Sequence, residues 1–228
     1  MRRSVLYLYR DLATSDERAR LLRALSFVGL ECATVSAGDY GDDIAGGSKR
    51  LAEVPPWKRT PRFHAREEGP PSNYDVALHL DFADEAALAA FEGHPARQAV
   101  ESFAEGVTVG DLTARVDWRY DGDPPNRRGR YRHSAMFVWR DGLDGGSRSD
   151  ALEAVRGLAG SAGVESAIVG EGAGGDAADF DWVLDLQFAD EQSAFAALAG
   201  GAYAEAMKAV AGATKYEWTA RVTHLMRG

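Results

Sequence analysis

The sequence predicts an α+β fold in which two ferredoxin-like β-α-β-β-α-β repeats form an intramolecular, pseudo-dimeric α/β barrel. Repetition is the first observation behind this prediction. Leu80–Glu85 returns with one change as Leu186–Glu191, 106 residues later, and Thr113–Val116 returns at the same spacing as Thr219–Val222. The second observation is that both copies show the same order of hydrophobic periodicities. One such repeat leaves a sheet face uncovered, and the other copy can cover it.

The first copy opens with an alternating strand at Ser4–Tyr9. Thr14-Ser15-Asp16-Glu17 is a capping box, which predicts that a helix begins there. The remaining predicted elements are strands at Cys32–Val35, Tyr74–Phe82 and Leu112–Trp118, and a helix that Asp84 caps and that runs to about Ala104.

The second copy repeats this order. Gly29–Gly38 matches Gly163–Gly172 at a spacing of 134, which assigns 28 additional residues to the first copy. The predicted elements are strands at Ser134–Trp139, Ser166–Val169, Phe180–Phe188 and Trp218–His224, a helix that begins near Asp150, and a helix that Asp190 caps and that runs to about Val210.

The expected domain limits follow from these elements. Residues 1–120 form the first repeat, with an insertion at about 40–72, residues 121–130 are a Pro- and Gly-containing linker, and residues 131–228 form the second repeat. The insertion contains a basic and aromatic segment, Trp57–Arg66. We leave two interpretations of it open, a lid over a cavity of the first copy and a solvated surface loop.

Composition excludes several classes of function. The 228 residues carry 26 Lys and Arg against 35 Asp and Glu, a net charge of −9, which argues against nucleic-acid binding. No apolar run reaches the roughly 18 residues of a membrane span. The single cysteine, Cys32, excludes an internal disulfide and fits the cytoplasm. We predict no metal, because no His/Cys cluster has ligand spacing, and no cofactor; a monomer and a homodimer both remain open.

Several motifs resemble the stress-responsive A/B barrel (Dabb) family. They are Phe82-Ala83-Asp84-Glu85, Ala90-Phe91, Gly93-His94-Pro95-Ala96 with Gln98, and a first strand at His133–Trp139. The resemblance covers both repeats and implies the barrel fold. The family includes plant stress proteins and a cyclase that closes a linear polyketide by aldol condensation, so the resemblance leaves the function open.

In the cyclase-like members a histidine and a tyrosine on the second helix, and histidines on two strands, line a cavity. Neither copy of this sequence keeps the helix pair. In the first and second copies respectively, the helix histidine corresponds to Arg97 and Tyr203, and the helix tyrosine to Phe91 and Ala197. The first-strand histidine corresponds to Arg3 and His133, and the third-strand histidine to Val76 and Trp182.

The second copy nevertheless offers a different constellation. His133 and Tyr203 are the candidate catalytic residues, because an imidazole exchanges protons near neutral pH and a phenol can polarise a carbonyl. The candidate substrate-binding residues are Phe137, Trp139 and Trp182 in the second copy, and Phe91, His94 and Arg97 in the first. Each also has a structural interpretation: the aromatic residues as core, and His94 as a turn and capping residue.

Polar residues also alternate on the third strands. Asp75, His79 and Asp81, and in the second copy Asp181, Asp185 and Gln187, would meet inside a closed barrel. We expect a structural polar network there, with Arg115 and Arg221 as the partners of the carboxylates, and keep an interior catalytic or metal site as the alternative.

The predicted function is that of a small-molecule enzyme. The leading hypothesis is a cofactor-independent, cyclase-like catalyst for a polyketide-like or aromatic carbonyl substrate in bacterial secondary metabolism. Two alternatives are a non-catalytic, stress-responsive protein that binds a hydrophobic ligand, and a cofactor-independent monooxygenase of the same superfamily.

Overall fold

The computed structural model describes residues 1–44, 72–121, 128–174 and 179–228. It confirms two β-α-β-β-α-β units, in each of which the second helix is broken into two. The strands are β1 Arg2–Tyr7, β2 Val35–Asp42, β3 Val76–Phe82, β4 Ala114–Arg119, β5 Tyr131–Phe137, β6 Val164–Gly172, β7 Trp182–Phe188 and β8 Ala220–Leu225. The helices are α1 Ser15–Glu31, α2 Glu85–Glu92, α3 Pro95–Val107, α4 Gly145–Arg156, α5 Glu191–Leu198 and α6 Gly201–Ala213.

Several predicted boundaries change. The capping box of Thr14 and Glu17 is present, but Cys32 is the C-cap of α1 rather than part of a strand. Helix α4 begins five residues before Asp150, because Asp144 caps it. Strand β2 runs to Asp42, slightly past the expected start of the insertion at about residue 40. Most of the insertion, including Trp57–Arg66, lies outside the described residues, and so does most of the linker.

The alignment of the second strands is also corrected. Val35 pairs with Phe82, and Val164 pairs with the equivalent Phe188, so β2 and β6 correspond at a spacing of 129 rather than 134. Both segments are rich in small residues, so their sequences can be aligned with each other in several registers. The hydrogen-bonded pairing of β2 with β3 and of β6 with β7 allows only one of them.

The eight strands form one sheet in the order β2-β3-β1-β4-β6-β7-β5-β8. Strand β4 joins the two halves through its pairing with β6. The free edges, β2 and β8, meet through the isolated bridges Tyr40–Arg227 and Asp43–His224, which close the barrel. Closure removes the exposed edges that an open sheet of this size would present.

A glycine lies at each of the two junctions between the copies. A Cβ on Gly170 would lie 2.1 Å from the Trp118 ring and 2.4 Å from the Arg119 carbonyl oxygen. A Cβ on the equivalent Gly41 would lie 2.4 Å from the Leu225 carbonyl oxygen. Only glycine permits this close approach of the backbones.

Strand alternation divides the core into three parts. Val5 and Tyr7 point from β1 towards α1 and α3, whereas Leu6 points into the barrel. The second copy repeats the helix-side cluster around Phe137 and Leu184. The barrel interior is apolar towards one end, and its remaining part is filled by buried polar side chains. No helix among the described residues combines the length and apolarity needed to cross a membrane.

The junction glycines yield a stability prediction. In Gly170→Ala the new methyl group meets Trp118 and a backbone carbonyl, so we expect a loss of about 1–3 kcal/mol in the free energy of unfolding. Urea denaturation measures it. The control is Gly201→Ala, where a Cβ meets no atom within 4 Å. Equal stability of Gly170→Ala and the wild type would contradict the close packing at this junction.

Candidate functional site

The predicted catalytic pair of the second copy lies between the sheet and α6. His133 is on β5, and its strand neighbour on β8 is Thr223. His133 Nδ1 is 2.8 Å from Thr223 Oγ1, and His133 Nε2 is 3.0 Å from the hydroxyl oxygen of Tyr203 on α6. Arg221 Nη1 donates to the same hydroxyl oxygen at 3.4 Å. The structure therefore joins His133 and Tyr203 in one hydrogen-bonded chain.

Burial determines the protonation of this pair. His133 is fully buried, and burial, with the nearby positive charge of Arg221, lowers the pKa of its imidazole to about 3. Burial raises the pKa of the Tyr203 hydroxyl to about 12. Both groups are therefore neutral at pH 7, and the imidazole carries its proton on one nitrogen only.

The predicted aromatic residues of the second copy pack against one another. Phe137 and Trp182 stack with centroids 4.1 Å apart, and Trp139 stacks on the other side of Trp182 at 5.2 Å. The Arg221 guanidinium lies 5.5 Å from the centre of the Phe137 ring and 4.4 Å from that of Tyr216. This wall adjoins the pair, and Trp182 Nε1 is buried without a hydrogen-bond partner among the described residues.

The first copy has ion pairs where the second has neutral groups. Arg3, the counterpart of His133, bonds Asp117 through Nε at 2.7 Å. Arg97, the counterpart of Tyr203, and Arg115 both donate to Glu101, at 2.8 and 2.7 Å. The expected role of Arg115 and Arg221 as partners of the interior carboxylates is wrong, because both point towards the helices instead.

A cleft opens in this part of the first copy. Tyr7, Phe91, Arg97 and Arg115 line a small inner cavity. Tyr7 and Arg115 also line a larger adjoining cleft of about 690 Å³, which contains Arg10. Two of the predicted substrate-binding residues, Phe91 and Arg97, therefore line a cavity.

The third predicted residue of the first copy, His94, has the expected capping position. It is the N-cap of α3, and its Nδ1 accepts from the backbone N–H of Ala96 at 3.2 Å. Cys32 Sγ lies 3.1 Å from the same nitrogen, a contact that the sequence did not suggest. Burial raises the pKa of the thiol, so Cys32 is a protonated, buried side chain and not an activated nucleophile.

The interior of the barrel contains a second polar cluster. As expected, His79, Asp81, Asp185 and Gln187 are buried there. Asp75 and Asp181 have another role, because each accepts a backbone N–H, that of Tyr9 and that of Trp139 respectively, at 2.7 Å.

Two arginines from the first strands balance the interior carboxylates. Arg2 bonds Asp81 and Asp185, each at 2.8 Å. Arg132 bonds Asp39 and lies 3.1 Å from Asp185. Burial by itself would raise the pKa of Asp39, but Arg132 and the neighbouring imidazoles hold it below its usual value.

Three residues of this cluster could hold a metal ion. Asp39, His79 and His224 each place one donor atom within 4.8 Å of the others. They are not evident as a group in the sequence, because they come from β2, β3 and β8 and have no characteristic spacing. The only available signal was alternation, which places His224 on the same strand face as the buried Val222.

Comparisons with known proteins establish the fold. No protein family and no curated protein matches this sequence. An anthrone oxidase-like protein of known structure is similar with a TM-score of 0.64 at 12% identity, over 100% of this chain and 91% of that one. A proposed monooxygenase from Fusobacterium nucleatum gives 0.56 at 10% identity, over 99% and 90% of the two chains, and one from Lactobacillus acidophilus gives 0.54 at 9%, over 99% and 92%. At these identities the likeness is one of fold, and the chain has the ferredoxin-like α+β barrel fold.

Proposed function

We propose that the chain is a cofactor-independent enzyme that acts on an aromatic or polyketide-like carbonyl compound, with His133 and Tyr203 as its catalytic pair. The observation that carries this proposal is the 3.0 Å contact between His133 Nε2 and the Tyr203 hydroxyl oxygen, beside Arg221. The fold likeness to an anthrone oxidase-like protein is compatible with an aromatic substrate but identifies none.

The charges favour an electrophilic role for the pair. When Thr223 donates to Nδ1 of His133, Nε2–H donates to the Tyr203 oxygen, which then also accepts from Arg221. The phenolic proton is then available to a substrate carbonyl. Negative charge that develops on the carbonyl oxygen is stabilised by Tyr203 and indirectly by the guanidinium, as enolisation or aldol closure requires.

The same environment argues against His133 as a general base. Burial disfavours a proton on its ring, and that proton would also place a second positive charge near Arg221, so the pKa of His133 lies at about 3. The base is therefore another group or the substrate's own carboxylate. Phe137 and Trp182 are fully buried against each other, so the partly buried Trp139 is the member of this wall that could present a ring face to a flat substrate.

The activity test uses a panel of linear polyketo acids and anthrones, with product masses and oxygen consumption as the readouts. We expect Tyr203→Phe to lower turnover about 100-fold, the cost of removing one carbonyl-stabilising donor. The control is Tyr131→Phe, because the Tyr131 hydroxyl contacts Glu191 outside the pair. Full turnover by Tyr203→Phe would refute the proposed role. Substrate-dependent oxygen uptake would assign oxygenation rather than cyclisation.

The buried, neutral His133 also predicts how stability depends on pH. Between the folded pKa of about 3 and the unfolded value near 6.5, only the unfolded chain binds the proton. The free energy of unfolding therefore falls as the pH is lowered from about 6.5 towards 3, by about 2 kcal/mol at pH 5 from this group. Urea unfolding at pH 7 and 5 should show a smaller loss for His133→Gln than for the wild type; equal losses would mean that His133 is protonated in the folded chain.

A ligand-binding protein is the second candidate, and the cleft of the first copy favours it. Tyr7 of the first copy, itself only 4% exposed, borders the 690 Å³ cleft beside Arg10 and Arg115. The two arginines could pair with an acidic group of a ligand, and the lining also includes three acidic residues.

Binding of anilinonaphthalene sulfonate, an aromatic anion, tests the second candidate by its fluorescence. We expect Arg115→Gln to weaken binding about tenfold, the loss of one charge-assisted hydrogen bond of about 1.5 kcal/mol. The matched control, Arg119→Gln, removes an exposed arginine paired with Glu85 outside the cleft. Unchanged affinity of Arg115→Gln would exclude the cleft as the site.

A further inference from the structure

We propose that Asp39, His79 and His224 bind a divalent transition-metal ion inside the barrel, at the junction of β2 and β8. All three are buried, at 3%, 0% and 0% exposure, and one donor atom from each lies within 4.8 Å of the other two. Two imidazoles and one carboxylate form a donor set that suits Zn²⁺ and its neighbours in the first transition row, rather than Mg²⁺ or Ca²⁺, which prefer oxygen ligands.

The distances between the donor atoms extend from below to above the donor–donor distance that a tetrahedral metal ion requires. Metal–nitrogen and metal–oxygen bonds of about 2.0–2.2 Å place tetrahedral donors roughly 3.4 Å apart. His224 Nε2 is 2.9 Å from Asp39 Oδ1, and no pair of donor atoms is farther apart than 4.8 Å. Small side-chain rotations therefore complete the arrangement, and three protein ligands leave a fourth position for water.

Outer contacts orient two of the ligands. Arg132 bonds the other carboxylate oxygen of Asp39, Oδ2. Nδ1 of His79 is 2.8 Å from Ser4 Oγ, which also accepts from the Trp118 indole N–H at 2.9 Å. Such contacts fix the rotamer of a ligand. The other nitrogen of His79, Nε2, lies 3.4 Å from Ser134 Oγ, a long contact that a bound ion would replace.

The third ligand is incompletely satisfied by the chain. Nδ1 of His224 is buried and has no hydrogen-bond partner among the described residues. The His79 and His224 rings lie parallel, 5.4 Å apart, so two imidazoles share this space with little else between their polar edges. A buried polar nitrogen without a partner is costly. Because Nε2 faces Asp39, an ion beside Asp39 would bind Nε2, and Nδ1 would need a water molecule of its own.

The charge of the interior favours a cation. Among the described residues, the formal charges that point into the barrel are those of Arg2 and Arg132 against Asp39, Asp81 and Asp185. The three carboxylates exceed the two guanidinium groups by one formal charge, which a divalent cation would offset.

The position of the cluster gives the ion a structural role. Among the described residues, strands β2 and β8 are joined by isolated bridges rather than by a continuous ladder, and Asp39 and His224 lie on those two strands. A shared metal ion would link them where backbone hydrogen bonds are few. A cleft of about 430 Å³ on the helix side of the sheet is lined by Asp39, Tyr40 and Arg227.

Zinc binding to the full chain, measured by calorimetry and by the thermal unfolding midpoint, tests the proposal. The protein is first treated with a chelator, and Zn²⁺ is then added. We expect one equivalent of Zn²⁺ to bind and to raise the unfolding midpoint. Asp39→Asn and His224→Gln should each weaken binding by at least about tenfold, because even the loss of an outer contact to a metal ligand has an effect of that size. The matched control is His94→Gln, which removes a histidine on the helix side and should bind Zn²⁺ like the wild type.

A second measurement on the wild type covers the case in which the buried variants do not fold. Bound Co²⁺ should show the spectrum of nitrogen and oxygen ligation. A thiolate charge-transfer band would place the ion at Cys32 and His94, 3.1 Å apart, and would overturn the proposal. Absence of zinc binding to the wild type, or equal binding by His224→Gln, would overturn it as well.

Discussion

The fold depends on two arginines that are fully removed from water. Arg2 and Arg132 occupy equivalent positions on the first strands of the two copies, and each forms an ion pair with a carboxylate of the other copy, Arg2 with Asp185 and Arg132 with Asp39. A buried charge is tolerated only when it is paired and hydrogen-bonded. Separating the copies would leave Arg2 with Asp81 and Arg132 with Asp185 but would break the two ion pairs between the copies, so these pairs stabilise the closed barrel.

This network also determines where chemistry with a larger substrate can occur. It fills the polar part of the barrel, and apolar side chains such as Leu6 and Met136 fill the rest. The helix side of the sheet is therefore the remaining place for a larger substrate, and the two copies differ there in their side chains. The second copy has a neutral histidine and tyrosine in contact, whereas the first has Arg3 and Arg97 in ion pairs beside an open cleft.

The fold could be predicted from the sequence because duplication is a strong signal. The recurrence of Leu80–Glu85 placed a strand and a helix cap in both copies, and the structure has both. The register of β2 and β6 could not be predicted, because their glycines and alanines match at several spacings whereas only backbone pairing selects 129.

The candidate site was predicted in part. The resemblance to the barrel family, applied position by position, groups His133 with Tyr203, and the two side chains are in contact. The partner of His133 on β8, Thr223, and the cluster of Asp39, His79 and His224 depend on strand pairing and on closure between chain ends, which no local pattern encodes. Arg115 and Arg221 were assigned to the interior because charge suggested a partner, but strand alternation places them on the opposite face.

A double-mutant cycle on Arg2 and Asp185 tests most directly whether buried ion pairs join the copies. Urea unfolding would compare the wild type with Arg2→Met, Asp185→Asn and the double variant. Arg2→Met should cost about 3–5 kcal/mol, because it leaves Asp81 and Asp185 without this partner. Asp185→Asn should cost less, because Arg2 still pairs with Asp81, and the double variant should lose clearly less than the sum of the two single losses. Additive losses would contradict the account, since they would mean that the two side chains contribute to stability independently and that the copies are held together by other contacts.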